Sequence, residues 1–347
     1  MIMKKLLVLT AICLFVVISC INTDQKSKSA YNNQEAEKLL EQAQIYFQPI
    51  SSVDVQPPDE NMVKLGKYLF FDTRLSGEGN ISCNSCHSLS NFGVDNEQFS
   101  LGDDQKSRGG RNSPTVFHAA LHKMQFWDGR AADVEEQAGG PILNPIEHNI
   151  KNKQELVERL KAVDIYQELF PKAFGDDQDP ISFENVTRAI GAFERTLMPE
   201  SRFDKYLEGD ITALEAQEQK GLDIFIRSGC ITCHNGVALG GQMLMKFGLY
   251  EDYWEQTHSQ KVDAGVFDIS QNEAEKYFFK VPGLRNITHT WPYFHDGSVE
   301  DLNEAVRLMA KLQRGVDLSE NEVKDVVVFL GSLSADIPDE VKKSPFE

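Results

Sequence analysis

Cysteine available for a disulfide is the first thing this chain lacks. Its six cysteines are Cys13, Cys20, Cys83, Cys86, Cys230 and Cys233. Four sit in two Cys-x-x-Cys-His motifs and Cys13 lies in an apolar leader. No pair is left to cross-link the mature chain, so cysteine usage alone does not fix the compartment. A hydrophobic run long enough to span a bilayer comfortably is also missing, since the apolar stretch Leu6–Ile18 falls short of a transmembrane helix. Positive charge is in deficit: 35 Lys and Arg stand against 53 Asp and Glu, a formal net charge of −18. That balance argues against a nucleic-acid partner, favours solubility and suits a basic electron donor. Convincing period-two strand patterns are few. With 41% hydrophobic residues over 347 positions, the chain reads as a globular, mainly α protein long enough for two domains.

The two motifs are Cys83-Asn84-Ser85-Cys86-His87 and Cys230-Ile231-Thr232-Cys233-His234. Each has the pattern of a c-type haem attachment site. Cysteines three apart share one face of a helical turn, where both thiols reach the vinyl groups of one porphyrin. The following histidine then presents its imidazole to the iron. A zinc site would pair two such motifs closely, and a redox Cys-x-x-Cys has no use for the trailing histidine. The expectation is therefore two covalently bound haems.

The N-terminus carries Lys4-Lys5 and then the short apolar run, the pattern of a secretory signal. The run ends in Val17-Ile18-Ser19-Cys20, which resembles a bacterial lipoprotein processing box. Cleavage before Cys20 would leave a lipid-modified cysteine able to hold the protein at a membrane; an ordinary cleaved signal is the alternative. Either way the reading places the protein in the periplasm or cell envelope. Residues Ile21 to Asn33, rich in Ser, Asn, Lys and Gln, read as a tether.

Beyond the tether, apolar spacing predicts helices over Ala36–Phe47, Asn61–Phe70, Lys153–Leu169, Phe183–Leu197, Thr212–Ile226, Leu302–Leu312 and Glu320–Leu333. Gly and Asn clusters predict loops over Ser90–Arg111 and Gly236–Gly248. A repeat runs through this pattern. Gly66-Lys67-Tyr68-Leu69-Phe70 precedes the first motif and Gly221-Leu222-Asp223-Ile224-Phe225 the second. Thirteen positions after Pro114 comes Trp127-Asp128-Gly129, and thirteen after Pro282 comes His295-Asp296-Gly297. This predicts two cytochrome c-like haem domains packed together, residues 34–205 and 206–347.

The halves differ where chemistry is decided. Twelve residues past Gly297 lies Met309, whereas the corresponding position past Gly129 is Pro141, with no methionine between Trp127 and Glu147. A thioether opposite His234 favours ferrous iron and raises its potential, which makes the second haem an electron-transfer centre; Met243 and Met245 compete for that role. The first haem, with His87, is left as the place for a small oxidant. Trp127 can bridge the two macrocycles as a π-system, or simply pack in the core. Cleaving hydrogen peroxide needs a base that moves a proton from the inner oxygen to the outer, a task for Glu147 aided by the amide of Gln137; a loop glutamate can equally be a solvated surface group.

After the tether the chain resembles the bacterial di-haem cytochrome c peroxidases. The matching stretches are both haem motifs, Arg111–Thr115, Gln125–Ala132, Glu136–Pro141, Val281–Asn286 and Pro292–Ser298. The resemblance implies a peroxidatic first haem, a His/Met second haem, and reduction of hydrogen peroxide with electrons from a small cytochrome c or cupredoxin. It supports Trp127 between the haems, Gln137 and Glu147 as catalytic groups and Met309 as ligand. It also implies a calcium ion at the domain interface, held by Asn112 and the carbonyls of Thr290 and Pro292, oxygen donors of the kind calcium takes. In many members a histidine on the loop before Arg111 caps the resting peroxidatic haem. Here Phe99–Arg108 has none, which favours a first haem open at rest; His118, His122 or Lys106 is the substitute otherwise. Other readings stay open. One is a relative of the di-haem enzymes that oxidise a protein substrate, whose type example has tyrosine in place of Met309. Another is an electron-transfer cytochrome with no substrate chemistry. A homodimer is an open assembly.

Overall fold

The computed structural model describes residues 33–347 apart from Val55 and Asp176. The leader, Cys20 and all but the last residue of the tether lie outside the described residues. The main helices are α1 (Asn33–Tyr46), α2 (Glu60–Phe71), α3 (Val134–Leu143), α4 (Lys153–Lys161), α5 (Asp164–Ala173) and α6 (Phe183–Glu194) in the first half. In the second half they are α7 (Arg202–Leu207), α8 (Ala216–Arg227), α9 (Leu302–Arg314) and α10 (Glu320–Gly331). A two-stranded antiparallel ribbon joins β1 (Leu244–Lys246) to β2 (Phe278–Lys280), with Met245 opposite Phe279.

Local chemistry sets these boundaries. The Asp59 carboxylate accepts from the amides of Asn61 and Met62 at the start of α2, and Ser319 with Glu322 forms a capping box at the start of α10. The expected helix over 153–169 is broken into α4 and α5. The break at Ala162–Val163 turns Tyr166, Leu169 and Phe170 into the core that also takes Leu156 and Leu160. Helix α3 is an addition, hidden in the sequence by Gly139-Gly140-Pro141. Asp133 caps it, accepting from the Glu136 amide.

The repeat is built twice in three dimensions. Helix α2 crosses α6 so closely that a Cβ on Gly66 would lie 1.9 Å from the Ala189 carbonyl oxygen; α8 crosses α10 in the same way, with Gly221 and Asp325 giving the same 1.9 Å. Phe193 and Phe329 fill equivalent places at these crossings. The turns match too. Phe126 and Gly129 flank Trp127-Asp128 with positive φ, as Phe294 and Gly297 flank His295-Asp296. Bridges Gln125–Ala131 and Tyr293–Val299 close the two turns.

The expected boundary near residue 205 is crossed at both ends of the described chain. Leu39, Ala43 and Phe47, on and just after α1, pack with Tyr206, Phe225 and Phe329 of the second half. Ile337, with Val341 against it, joins the core of the first half.

Candidate active site

Each Cys-x-x-Cys-His motif opens onto a cavity. The first, about 450 Å³, is lined by Cys83, Cys86, His87, Phe126, Arg130, Gln137, Pro141, Glu147 and Glu194 among others. The second, about 210 Å³, is lined by Cys230, Cys233, His234, Phe225, Tyr293, Leu302, Met309 and Leu330 among others, and its wall is almost wholly apolar. Trp127 lines both, as do Asn112, Pro114, Thr115 and Lys280.

The second motif's histidine is held by the backbone of the following loop. His234 Nδ1 lies 3.1 Å from the Leu239 carbonyl, which leaves Nε2 to face the cavity. His87 has the carbonyls of Gly93 and Pro114 beside it, as His234 has those of Leu239 and Pro282. Burial lowers both imidazole pKa values, that of His234 to about 4, so each ring is neutral, the ligating form. Burial likewise raises the thiols, Cys86 and Cys230 each to about 11, and none of the four is in a disulfide.

The sequence-derived residues converge, with exceptions. Met309 on α9 shares the second cavity with His234, and so does Met245; Met243 does not. Pro141 lines the first cavity at the place Met309 occupies in the second, and among the described residues no methionine lines the first. Trp127 is fixed by its indole N–H, which donates to the Asn112 carbonyl at 2.8 Å. Its ring meets that of His295, its counterpart in the repeat, edge-on at 6.3 Å. Gln137 and Glu147 face the first cavity together. Burial raises the Glu147 pKa, while Arg130 and Asn144 oppose that shift. The loop before Arg111 is tied to this glutamate, because the Asp103 amide donates to the Glu147 carbonyl at 2.8 Å. His118 does not reach the cavity; it is buried, with Nε2 2.9 Å from the Pro199 carbonyl. Lys106 is exposed and away from it. His122 does line it, with Nδ1 3.2 Å from Lys280 Nζ.

A family model described as di-haem cytochrome c peroxidase matches residues 60–212. The cytochrome c551 peroxidase of Nitrosomonas europaea is 45% identical over 295 residues, covering 84% of this chain and 85% of the relative. That of Pseudomonas aeruginosa is 43% identical and covers 88% of each. This chain belongs to the di-haem cytochrome c peroxidase family. The methylamine utilization protein MauG of Methylophilus methylotrophus is 32% identical over 78% of the chain and 81% of that protein. Among solved structures, a MauG-like protein associated with microbial copper homeostasis superposes with a TM-score of 0.75 at 30% identity, covering 84% of this chain and 97% of that one.

The residues present fit the two haems of the family. Each cavity offers two partly buried thiols and a neutral histidine; the second has an almost wholly apolar wall, and the first mixes apolar and charged groups. For calcium, Asn112, Thr290 and Pro292 line one stretch of the second cavity. The Asn112 side-chain amide donates to the carbonyls of Glu97 and Gln98, which points its oxygen elsewhere. Among the described residues no cluster of three His, Cys, Asp or Glu side chains is poised for a metal.

Sequence reasoning missed several cavity residues. Glu194 is the clearest. The helix crossings equate it with Leu330, so a carboxyl lines the first cavity where leucine lines the second. Burial, with Glu135 nearby, raises its pKa to about 8. The repeat was the signal that could have found it.

Proposed function

We propose that this protein reduces hydrogen peroxide to water at the first cavity, with two electrons delivered singly by a small cytochrome c or cupredoxin and two protons from solvent. The observation that carries the reading is the convergence of Gln137 and Glu147 on the His87 cavity while Trp127 lines that cavity and the methionine-bearing one. A haem held by Cys83, Cys86 and His87 would supply the iron at which peroxide binds and is reduced. The chain does the rest. The Glu147 carboxylate takes a proton from the inner peroxide oxygen and returns it to the outer one, which leaves as water. The Gln137 amide steadies the oxygen on which charge develops. Trp127 gives a packed path between the cavities. Met309, which lines the second cavity with His234, would supply a sulfur ligand that suits the second haem to storing an electron. Asn112, Thr290 and Pro292 bind calcium where the halves meet. The leader and the Cys20 box support a lipid-anchored protein in the periplasm or cell envelope. The relatives named cytochrome c551 peroxidase support the activity.

Steady-state assay tests it: peroxide must oxidise a reduced small cytochrome in the presence of this protein, and Glu147→Gln must lower kcat by about 10²-fold or more. Full turnover in that variant removes the role given to Glu147. A wild-type protein inert toward peroxide removes the function.

A further inference from the structure

Among the described residues lining either cavity, Lys280 is a buried cation with no ion pair, whereas Lys261 and Arg314, also without one, are exposed. Lys280 lies on β2 at 5% exposure, and its backbone amide donates to the Trp127 carbonyl at 2.6 Å. Its backbone thus sits in the wall between the cavities. Its ammonium rests 3.2 Å from His122 Nδ1, and His122 lines only the first cavity, so the charge faces the first haem's side. Among the described residues no carboxylate lies within ion-pair distance of Lys280 Nζ. The nearest acidic influence is Asp128, whose oxygens are already taken by Arg111 at 2.5 Å and Arg130 at 2.8 Å. His122 is itself pinned, its ring packed against Gly241 and Gly283 of the second half. As a neutral acceptor it can orient the ammonium but cannot compensate it.

A buried cation without a counter-charge is costly, and proteins pair such groups. The missing partner is an anion inside the cavity, and the first haem carries two propionate carboxylates. We infer that Lys280, oriented by His122, is the seat for a propionate of the first haem and holds that haem's reduction potential up. The sign follows from charge: a cation beside the macrocycle stabilises the reduced form, which has one positive charge fewer. The electrostatic setting of the peroxidatic site is thereby supplied by the second half, through a strand that also touches Trp127. This inference rests on the reading of the first cavity as a haem site.

Redox titration of the holoprotein, followed by the absorbance of each haem at pH 7, tests it. Lys280→Met keeps the length and apolar stem and removes the charge. It is expected to lower the midpoint potential of the first haem and leave the second unchanged, while Lys280→Arg stays near wild type. His122→Asn, which keeps an acceptor, is expected to shift the potential less than Lys280→Met. A Lys280→Met protein that retains two haems and a wild-type melting profile but shows an unmoved first potential, or a shift only in the second, overturns the inference. A wild-type protein with fewer than two haems per chain, counted as the pyridine haemochrome, overturns the underlying reading instead.

Discussion

At the scale of single residues, a buried carboxyl, Glu194, and a half-buried one, Glu147, face the same cavity, and desolvation keeps protons on both longer than in water. For Glu147 this has a kinetic consequence. A base that must be ionised to accept the peroxide proton loses activity as pH falls through its pKa, and burial raises that pKa. The acid limb of kcat/KM is expected above the ordinary glutamate range in the wild type and absent from the residual activity of Glu147→Gln. For Glu194 the consequence is thermodynamic. Its pKa rises from 4.5 to about 8 on folding. The native state therefore holds a proton that the unfolded chain releases between those values. Stability falls as pH rises through that window. Glu194→Gln is expected to remove this slope, so that its melting temperature gains on wild type between pH 5 and about pH 8.

At the scale of elements, the twice-built helix crossing carries the most load. A methyl group at Gly66 or Gly221 would overlap a backbone carbonyl, which only a shift of a whole helix relieves. Gly66→Ala and Gly221→Ala are each expected to cost about 1–3 kcal/mol or more in urea unfolding. A second element-level clamp is the ion pair of Asp204 on α7 with Arg285, both fully buried, at 2.7 Å. Burial disfavours the Asp204 charge, but the hydrogen bonds and charge of Arg285 outweigh it and hold the carboxyl below its usual pKa. Asp204→Ala strands a buried guanidinium and is expected to cost about 3–5 kcal/mol. The sequence showed α2, α8, α9 and α10 because their apolar positions keep helical spacing and their caps are local. It hid α3, since a Gly-Gly-Pro run normally ends a helix, and the α4–α5 break, which no local residue marks. The Cys-x-x-Cys-His motifs and the Trp127 turn were legible because they recur at fixed spacing, and the distance of Met309 from the second turn put it on the second cavity. Lys280 was not legible, because only the packing of distant segments turns an ordinary strand lysine toward a cavity, and Glu194 was open only through the repeat that equates it with Leu330.

At the scale of the molecule, the two cavities share a wall of Asn112, Pro114, Thr115, Trp127 and Lys280. Trp127→Phe keeps a ring there but loses the indole N–H that binds Asn112. It is expected to slow re-reduction of the first haem by the second in stopped-flow while leaving cyanide binding to the first nearly unchanged. Further bonds bind the halves: the Lys123 amide donates to the Gly241 carbonyl, Gln242 Nε2 to the Leu121 carbonyl, and Arg111 pairs with Asp263 at 2.7 Å.

Because α1 is embedded in the second core and Ile337 in the first, the halves exchange their ends. A protease cutting at exposed Glu200, between α6 and α7, would sever the covalent link without freeing either piece. Each fragment would still hold part of the other's interior, and the nicked protein should migrate as one species until denatured.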